Sequence, residues 1–229
     1  MRLASSAKHM SGYQLRERLS FCLIDGRPFF LDARADRYFR LCNEMEHLFL
    51  SLLNDPSDSH AGRVLVECGV LNDAEDGLPC TAQAELTSFS VLEMPSMEQR
   101  HGALLFFEVA AIVHQTKRRL NKYGLEPTLR WCVACSANRS STQDAAVQLD
   151  MARWSGAFLK TRKYVATPTR CLLDSLAMMK FLGRRGLYPK LVFGVTGEPF
   201  TAHCWLQAGQ TLLNDNVGNT RAYTPIKVV

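Results

Sequence analysis

The chain has 229 residues, 47% of them hydrophobic, and a formal charge of +5 at pH 7. That length makes one large domain or two small ones with apolar residues enough for real cores. Lys and Arg are dispersed, which argues against a nucleic-acid stripe, and no apolar run reaches the ~18 residues that span a bilayer.

In chain order, residues 1–12 are small and polar and read as a disordered N-terminus. Residues 19–24, the turn Asp25-Gly26-Arg27-Pro28, and 29–31 read as a β-hairpin. Residues 37–41 read as a third strand. Met45, Leu48, Phe49 and Leu52 fall at helical spacing within 44–53. A loop over 54–59 precedes a second short helix at 61–70, and 72–79 read as turns. Three short strands followed by helices predict a winged-helix-like module over 13–95, with a boundary near Pro95. A long helix is expected over 98–123, stopped by Gly124-Leu125-Glu126-Pro127. Another helix is expected over 149–159, starting as early as Thr142. A helix from Cys171 and strands at 190–194, 200–207 and 211–216 follow. The whole reads as α+β, with a second domain over 96–229.

Three residues late in the chain suit one chemistry. Cys171 follows Thr167-Pro168-Thr169-Arg170 and opens an apolar helical run. A Thr N-cap and an early Pro mark a helix start, where the macrodipole favours a thiolate. His203 and Asp215 lie on two short runs around Ala208-Gly209-Gln210. A three-residue loop centred on Gly209 makes them direct cross-strand partners, with Cβ atoms about 5 Å apart. A two-residue Gly209-Gln210 turn shifts the pairing by one and leaves them diagonal. Direct pairing supplies a nucleophile, a base and an orienter of the base, and the register is its weak point. A packed cysteine and a satisfied strand histidine are the bland alternative.

Other features carry less. Cys132-Val133-Ala134-Cys135 lacks the second ligand pair that zinc needs, so neither a metal nor any cofactor is expected. His101 and His114 read as ordinary polar positions on the long helix. Lys117-Arg118-Arg119 with Lys122, and Lys160 through Lys163, read as solvated helix faces. Gly183-Arg184-Arg185-Gly186 reads as a helix stop with positive charge. Trp205 shares the face of His203 and either walls a site or fills a core. Tyr38 and Phe39 take opposite faces of their strand, so one packs inward and the other is open to a ligand. Eight cysteines at irregular spacing, with no signal peptide, read as reduced cytoplasmic thiols.

The same residues carry a resemblance. Arg170-Cys171-Leu172-Leu173-Asp174-Ser175, Leu191-Val192-Phe193-Gly194-Val195, Ala202-His203-Cys204-Trp205 and Leu213-Asn214-Asp215 resemble the transglutaminase-like cysteine peptidases of lasso-peptide biosynthesis, the B proteins. Phe30-Leu31-Asp32 through Arg37-Tyr38-Phe39-Arg40-Leu41 resembles the leader-recognition element joined to that peptidase. Cys204 departs from the Ala of many members and is expected to face away from the chemistry.

The resemblance implies Cys171, His203 and Asp215 as catalytic residues in a transglutaminase/papain-like domain. It implies a leader peptidase acting on a ribosomally made precursor, whose core then passes to an asparagine-synthetase-like cyclase. The leader would pair as an added strand beside Arg37, Tyr38, Phe39 and Arg40, with Trp205 walling the site. Three rivals remain: an acyltransferase using the same triad, a non-catalytic leader-binding chaperone, and a winged-helix DNA binder. The last lacks a basic recognition helix, since 61–70 carries only Arg63.

Overall fold

A computed structural model of the chain describes residues 12–74, 80–94, 102–134 and 145–229. Pro95, His101, Cys135, Thr142 and the expected N-terminal tail before Gly12 lie outside them.

The N-terminal part begins with β1 (Gly12–Leu15), β2 (Leu19–Ile24), β3 (Arg27–Asp32) and β4 (Arg37–Phe39). The β2–β3 connection is tighter than the sequence suggested: Ile24 pairs with Arg27, leaving only Asp25-Gly26 as the turn. Both turn residues have positive φ, 50° and 75°, which the right-handed twist of a two-residue hairpin requires. Next come α1 (Asn43–Asn54), α2 (Ser59–Glu67) and β5 (Leu71–Ala74). Asp58 caps α2 by accepting from Ala61 N. β1 and β5 form a small antiparallel pair. The sequence pattern gave no strand at 12–15 and only turns at 72–79, because each strand is too short and polar to show alternation.

The sheet β2-β3-β4 buries both faces, which explains its nearly continuous apolar runs. Phe21, Phe30 and Phe39 form a cross-strand aromatic ladder on one face, with ring centroids 6.0 and 5.3 Å apart. It packs with Phe49, Leu52 and Leu65 of α1 and α2. Cys22, Phe29, Leu31 and Ala33 on the other face join the main core of the C-terminal part.

That part contains β6 (Phe89–Ser90), α3 (Ala103–Tyr123), α4 (Leu125–Val133), α5 (Ala145–Arg162) and α6 (Cys171–Gly183). It ends with β7 (Lys190–Val195), β8 (Ala202–Ala208), β9 (Thr211–Leu212), α7 (Val217–Thr220) and β10 (Thr224–Val228). Gly124, at φ 78°, does end α3, but a new helix starts at once. Pro127 lies in its first turn, where no intrahelical N–H is needed. The five-stranded sheet runs β10-β7-β8-β9-β6, with only the β6–β9 pair parallel. Helix α6 lies between this sheet and helices α3, α4 and α5. Its residues are buried nearly all round, as expected of a helix with no polar face. The helix stop reads as anticipated: Arg185 bonds Phe181 O at 2.9 Å and Glu108 at 2.6 Å, and Gly186 has φ 73°.

The two parts share a core and an aromatic contact. Phe200, between β7 and β8, stacks on Phe29 at 6.1 Å and meets Tyr38 at 5.7 Å. Arg18 pairs with Glu126 at 2.7 Å. No helix among the described residues is long and apolar enough to cross a membrane.

Candidate active site

Cys171 is the first residue of α6. The helix start differs from expectation: its N-cap is Arg170, in extended conformation, and no side chain caps it. The neighbouring threonines do not fill that role. An uncapped first turn leaves backbone N–H groups beside an exposed thiol.

The loop leading to Cys171 is held from below by Arg162. This residue is 4% exposed, so the basic cluster at 160–163 is not wholly a solvated face. Its guanidinium donates to Asp174 at 2.7 Å and to the carbonyls of Val165, Thr167 and Pro168 at 3.2, 2.9 and 3.2 Å. One fork thus fixes the loop and the first turn of α6 together. Burial raises the Asp174 carboxyl, and the Arg162 hydrogen bond opposes that rise.

His203 and Asp215 do meet, by the diagonal route. Gln207 pairs with Leu212 and Ala208 with Thr211, so the turn is the two-residue Gly209-Gln210 and direct cross-strand pairing is ruled out. The ladder stops at Leu212, and the chain then bends so that Asp215 Oδ2 reaches His203 Nε2. Asp215 is fixed by four bonds. Its oxygens accept from Asn216 N at 2.8 Å and from Asn219 Nδ2 at 3.1 and 3.1 Å. Its carbonyl accepts from Ser90 Oγ at 2.5 Å. Asn214, the nearest polar neighbour, is committed elsewhere, bonding Ser175 and Leu206 N at 2.8 and 2.7 Å.

The wall around His203 depends on glycine. Gly194 lies directly opposite His203 in the β7–β8 ladder. A Cβ there would lie 2.8 Å from Trp205 Cζ3 and 2.8 Å from Tyr223 Cβ. The rings of Trp205 and Tyr223 lie 6.1 and 5.3 Å from the imidazole. Trp205 is 3% exposed, and its indole N–H donates to Gln207 at 3.0 Å. It is both wall and core.

Cys204 needs a correction. It faces away from His203 along β8, but α6 packs on that face, so its thiol hydrogen-bonds Cys171 and lies 3.9 Å from Ser175 Oγ. The Cys171 thiol is lowered to about 4 by hydrogen bonds from Cys204 and then His203, which outweigh burial. The Cys204 thiol is pushed up by that same bond and by burial, and stays protonated. His203 is raised to about 10, chiefly by its bond to Asp215 and next by Cys171. Burial raises Asp215, but hydrogen bonds from His203, Asn219 and Asn216 more than offset it, leaving the carboxyl lowered. The resting arrangement is a thiolate–imidazolium pair backed by a carboxylate, able to attack a carbonyl and protonate a leaving group.

The profile of the Transglutaminase-like superfamily matches residues 110–228, just over half of the chain. The chain belongs to the transglutaminase-like superfamily. Searches of curated proteins and of solved structures returned no match. The superfamily includes cysteine peptidases, and its domain is compatible with a peptidase or an acyltransferase.

For this transglutaminase-like chain, the other expected binding residues are only partly at the site. Tyr38 faces the shared core. Its phenol is raised chiefly by burial. Phe39 packs inward on Phe30. Arg37 covers the Phe39 ring at 5.4 Å. Arg40 covers Phe29 at 5.4 Å and pairs with Glu46 at 3.1 Å. Sequence reading missed Ser90, Arg162, Tyr223 and Asn219, whose partners are brought to them by the fold. His114 is exposed and bonds Ala110 O at 2.9 Å. Cys132 is buried against Leu176 O at 3.5 Å. Among the described residues no group of three or more His, Cys, Asp or Glu could hold a metal ion.

Proposed function

We propose that the protein is a cysteine peptidase that removes the leader from a ribosomally made lasso-peptide precursor. The observation that carries this reading is the Cys171–His203–Asp215 constellation on a superfamily domain, within a chain whose motifs resemble the lasso-peptide B proteins. Cys171 thiolate attacks the scissile carbonyl carbon. The Cys171 N–H, at the bare start of α6, donates to the developing oxyanion. His203 gives its proton to the leaving amine as the C–N bond breaks. It then takes a proton from the water that attacks the thioester, and Cys171 leaves as thiolate. Asp215 holds the imidazole by Nε2 and stabilises its charge throughout.

The N-terminal part is the leader-binding module, winged-helix-like in kind. Among the described residues β4 pairs only with β3, so its outer edge can take an extended peptide as a further strand. Exposed Arg37 favours an acidic leader. The freed core passes to an asparagine-synthetase-like cyclase, in the cytoplasm.

The test is incubation of the full chain with the precursor encoded beside its gene, read by mass spectrometry. Free leader and free core, lost in Cys171→Ala, are expected. Transfer of the acyl group to an added amine would favour an acyltransferase instead. Binding without any cleavage would leave a leader-binding chaperone.

A further inference from the structure

A cavity of about 710 Å³ opens beside Cys171 and His203. Helix α5 forms one wall, α6 contributes Asp174 and Met178, and the segment after β6 contributes Val91, Leu92 and Met94. The lining is mostly apolar. Two of its lining residues on α5, four apart, are small: Ala152 and Gly156. A Cβ on Gly156 would meet nothing closer than Val91 Cγ1 at 3.8 Å, so a larger side chain there would occupy the cavity.

One aromatic ring fits in about 150 Å³, so this space takes several side chains and falls within the usual range of ligand sites. The charged lining is asymmetric. Asp174 is matched by Arg162 at 2.7 Å, and Lys163 also lines the cavity. The Lys163 ammonium suits a carboxylate. Because Cys171 is itself in the lining, whatever fills the cavity lies against the attacking sulfur. Binding energy spent there positions the reacting carbonyl.

We propose that this cavity is the substrate subsite for bulky apolar side chains adjacent to the scissile bond, flanked by an acidic residue of the same peptide. The proposal rests on reading Cys171 as a nucleophile toward peptide carbonyls.

Peptidyl chloromethyl ketones test it on the full chain. The Cys171 thiolate forms a C–S bond at the methylene carbon and chloride leaves with its electron pair. The probes are a Glu-Phe-Leu ketone, a Lys-Phe-Leu ketone and a Gly-Gly-Gly ketone, with iodoacetamide as the small control. The Glu-Phe-Leu reagent should label Cys171 at least about tenfold faster than the triglycyl reagent, the discrimination a filled apolar pocket gives. Gly156→Phe should erase that preference while leaving the iodoacetamide rate at Cys171 within about twofold. Leu92→Asp, on the opposite wall, should weaken it in the same direction and serves if Gly156→Phe melts. Lys163→Glu should remove the preference for Glu-Phe-Leu over Lys-Phe-Leu.

Equal rates for the apolar and triglycyl reagents would overturn the proposal. So would a folded Gly156→Phe that keeps the full preference. The two readings fail separately. Selective labelling with no peptide hydrolysis would leave the subsite and sink the peptidase. Leader cleavage with no apolar preference would do the reverse.

Discussion

Gly194 stands opposite His203 in the β7–β8 ladder, and the space above it is filled by Trp205 and Tyr223. A methyl group at 2.8 Å from both must move an indole that is nearly fully buried. Gly194→Ala should therefore cost about 1–3 kcal/mol of stability, the range for an overpacked core. The imidazole rests against the same rings, so turnover should fall by more than about tenfold. Thermal melting and steady-state kinetics check the pair of effects; a variant with wild-type values for both would remove Gly194 from the site's architecture.

The charged pair predicts a broad pH profile. In the proposed mechanism the active form carries Cys171 ionised and His203 protonated. Cys171 gains its charge as pH rises through about 4. His203 loses its proton as pH rises through about 10. Turnover should rise near the first value and fall near the second. At about pH 6 iodoacetamide should modify Cys171 ahead of the other cysteines, since ordinary thiols titrate near 8.5 and burial pushes Cys22 to about 12. Alkylation rate against pH, followed by peptide mass mapping, is the measurement. A single inflection near pH 8.5 would mean that no pair forms.

The imidazole and its two supports should rank by directness. His203→Ala should lower kcat/KM on the order of 10⁵-fold, and Asp215→Asn on the order of 10³-fold, because an amide can still occupy the site but not stabilise the imidazolium. Asn219→Ala removes two bonds to Asp215 and should cost roughly tenfold, the worth of one hydrogen bond to a charged group. Wild-type rates for Asp215→Asn would require another orienter.

Arg162 should matter more than a surface cation. It is nearly fully buried and makes four bonds. Arg162→Met leaves Asp174 without its partner and takes the guanidinium from the Thr167 and Pro168 carbonyls and from Val165 O, which keeps the Thr167 N–H, at a cost of about 3–5 kcal/mol. Arg162→Met with Asp174→Leu should recover part of that stability. It should not recover turnover, because the guanidinium no longer holds the loop before Cys171. Denaturant melts of the single and double variants decide it.

Leader binding should respond to charge at the β4 edge. Arg37 is exposed, so Arg37→Glu should leave the fold intact. It should weaken an acidic leader by roughly fivefold, about 1 kcal/mol, and raise KM more than it lowers kcat. Fluorescence anisotropy of labelled leader with the full chain is the check. The full chain is needed because Cys22, Phe29, Leu31 and Ala33 belong to the shared core and would be bared in a fragment.

Local chemistry was enough for the parts that depend on neighbours in sequence. Asp25-Gly26 specifies a hairpin, Gly124 and Gly186 stop helices, and the largely apolar run after Cys171 specifies a buried helix. Such signals fixed α+β architecture and put a thiol at a helix start. They did not place Asp215 beside His203. A one-residue change in the Gly209-Gln210 turn makes the pair diagonal, and the contact depends on a bend held by Ser90, 125 residues away. Nor did they show that Cys204 faces Cys171, because strand alternation says which residues share a face but not what packs on it. Tyr38 and Arg162 make the same point. A basic residue in a basic run looks solvated until the fold closes carbonyls and a carboxylate around it. A strand tyrosine meets Phe200 only when two sequence-distant halves bury their apolar faces together.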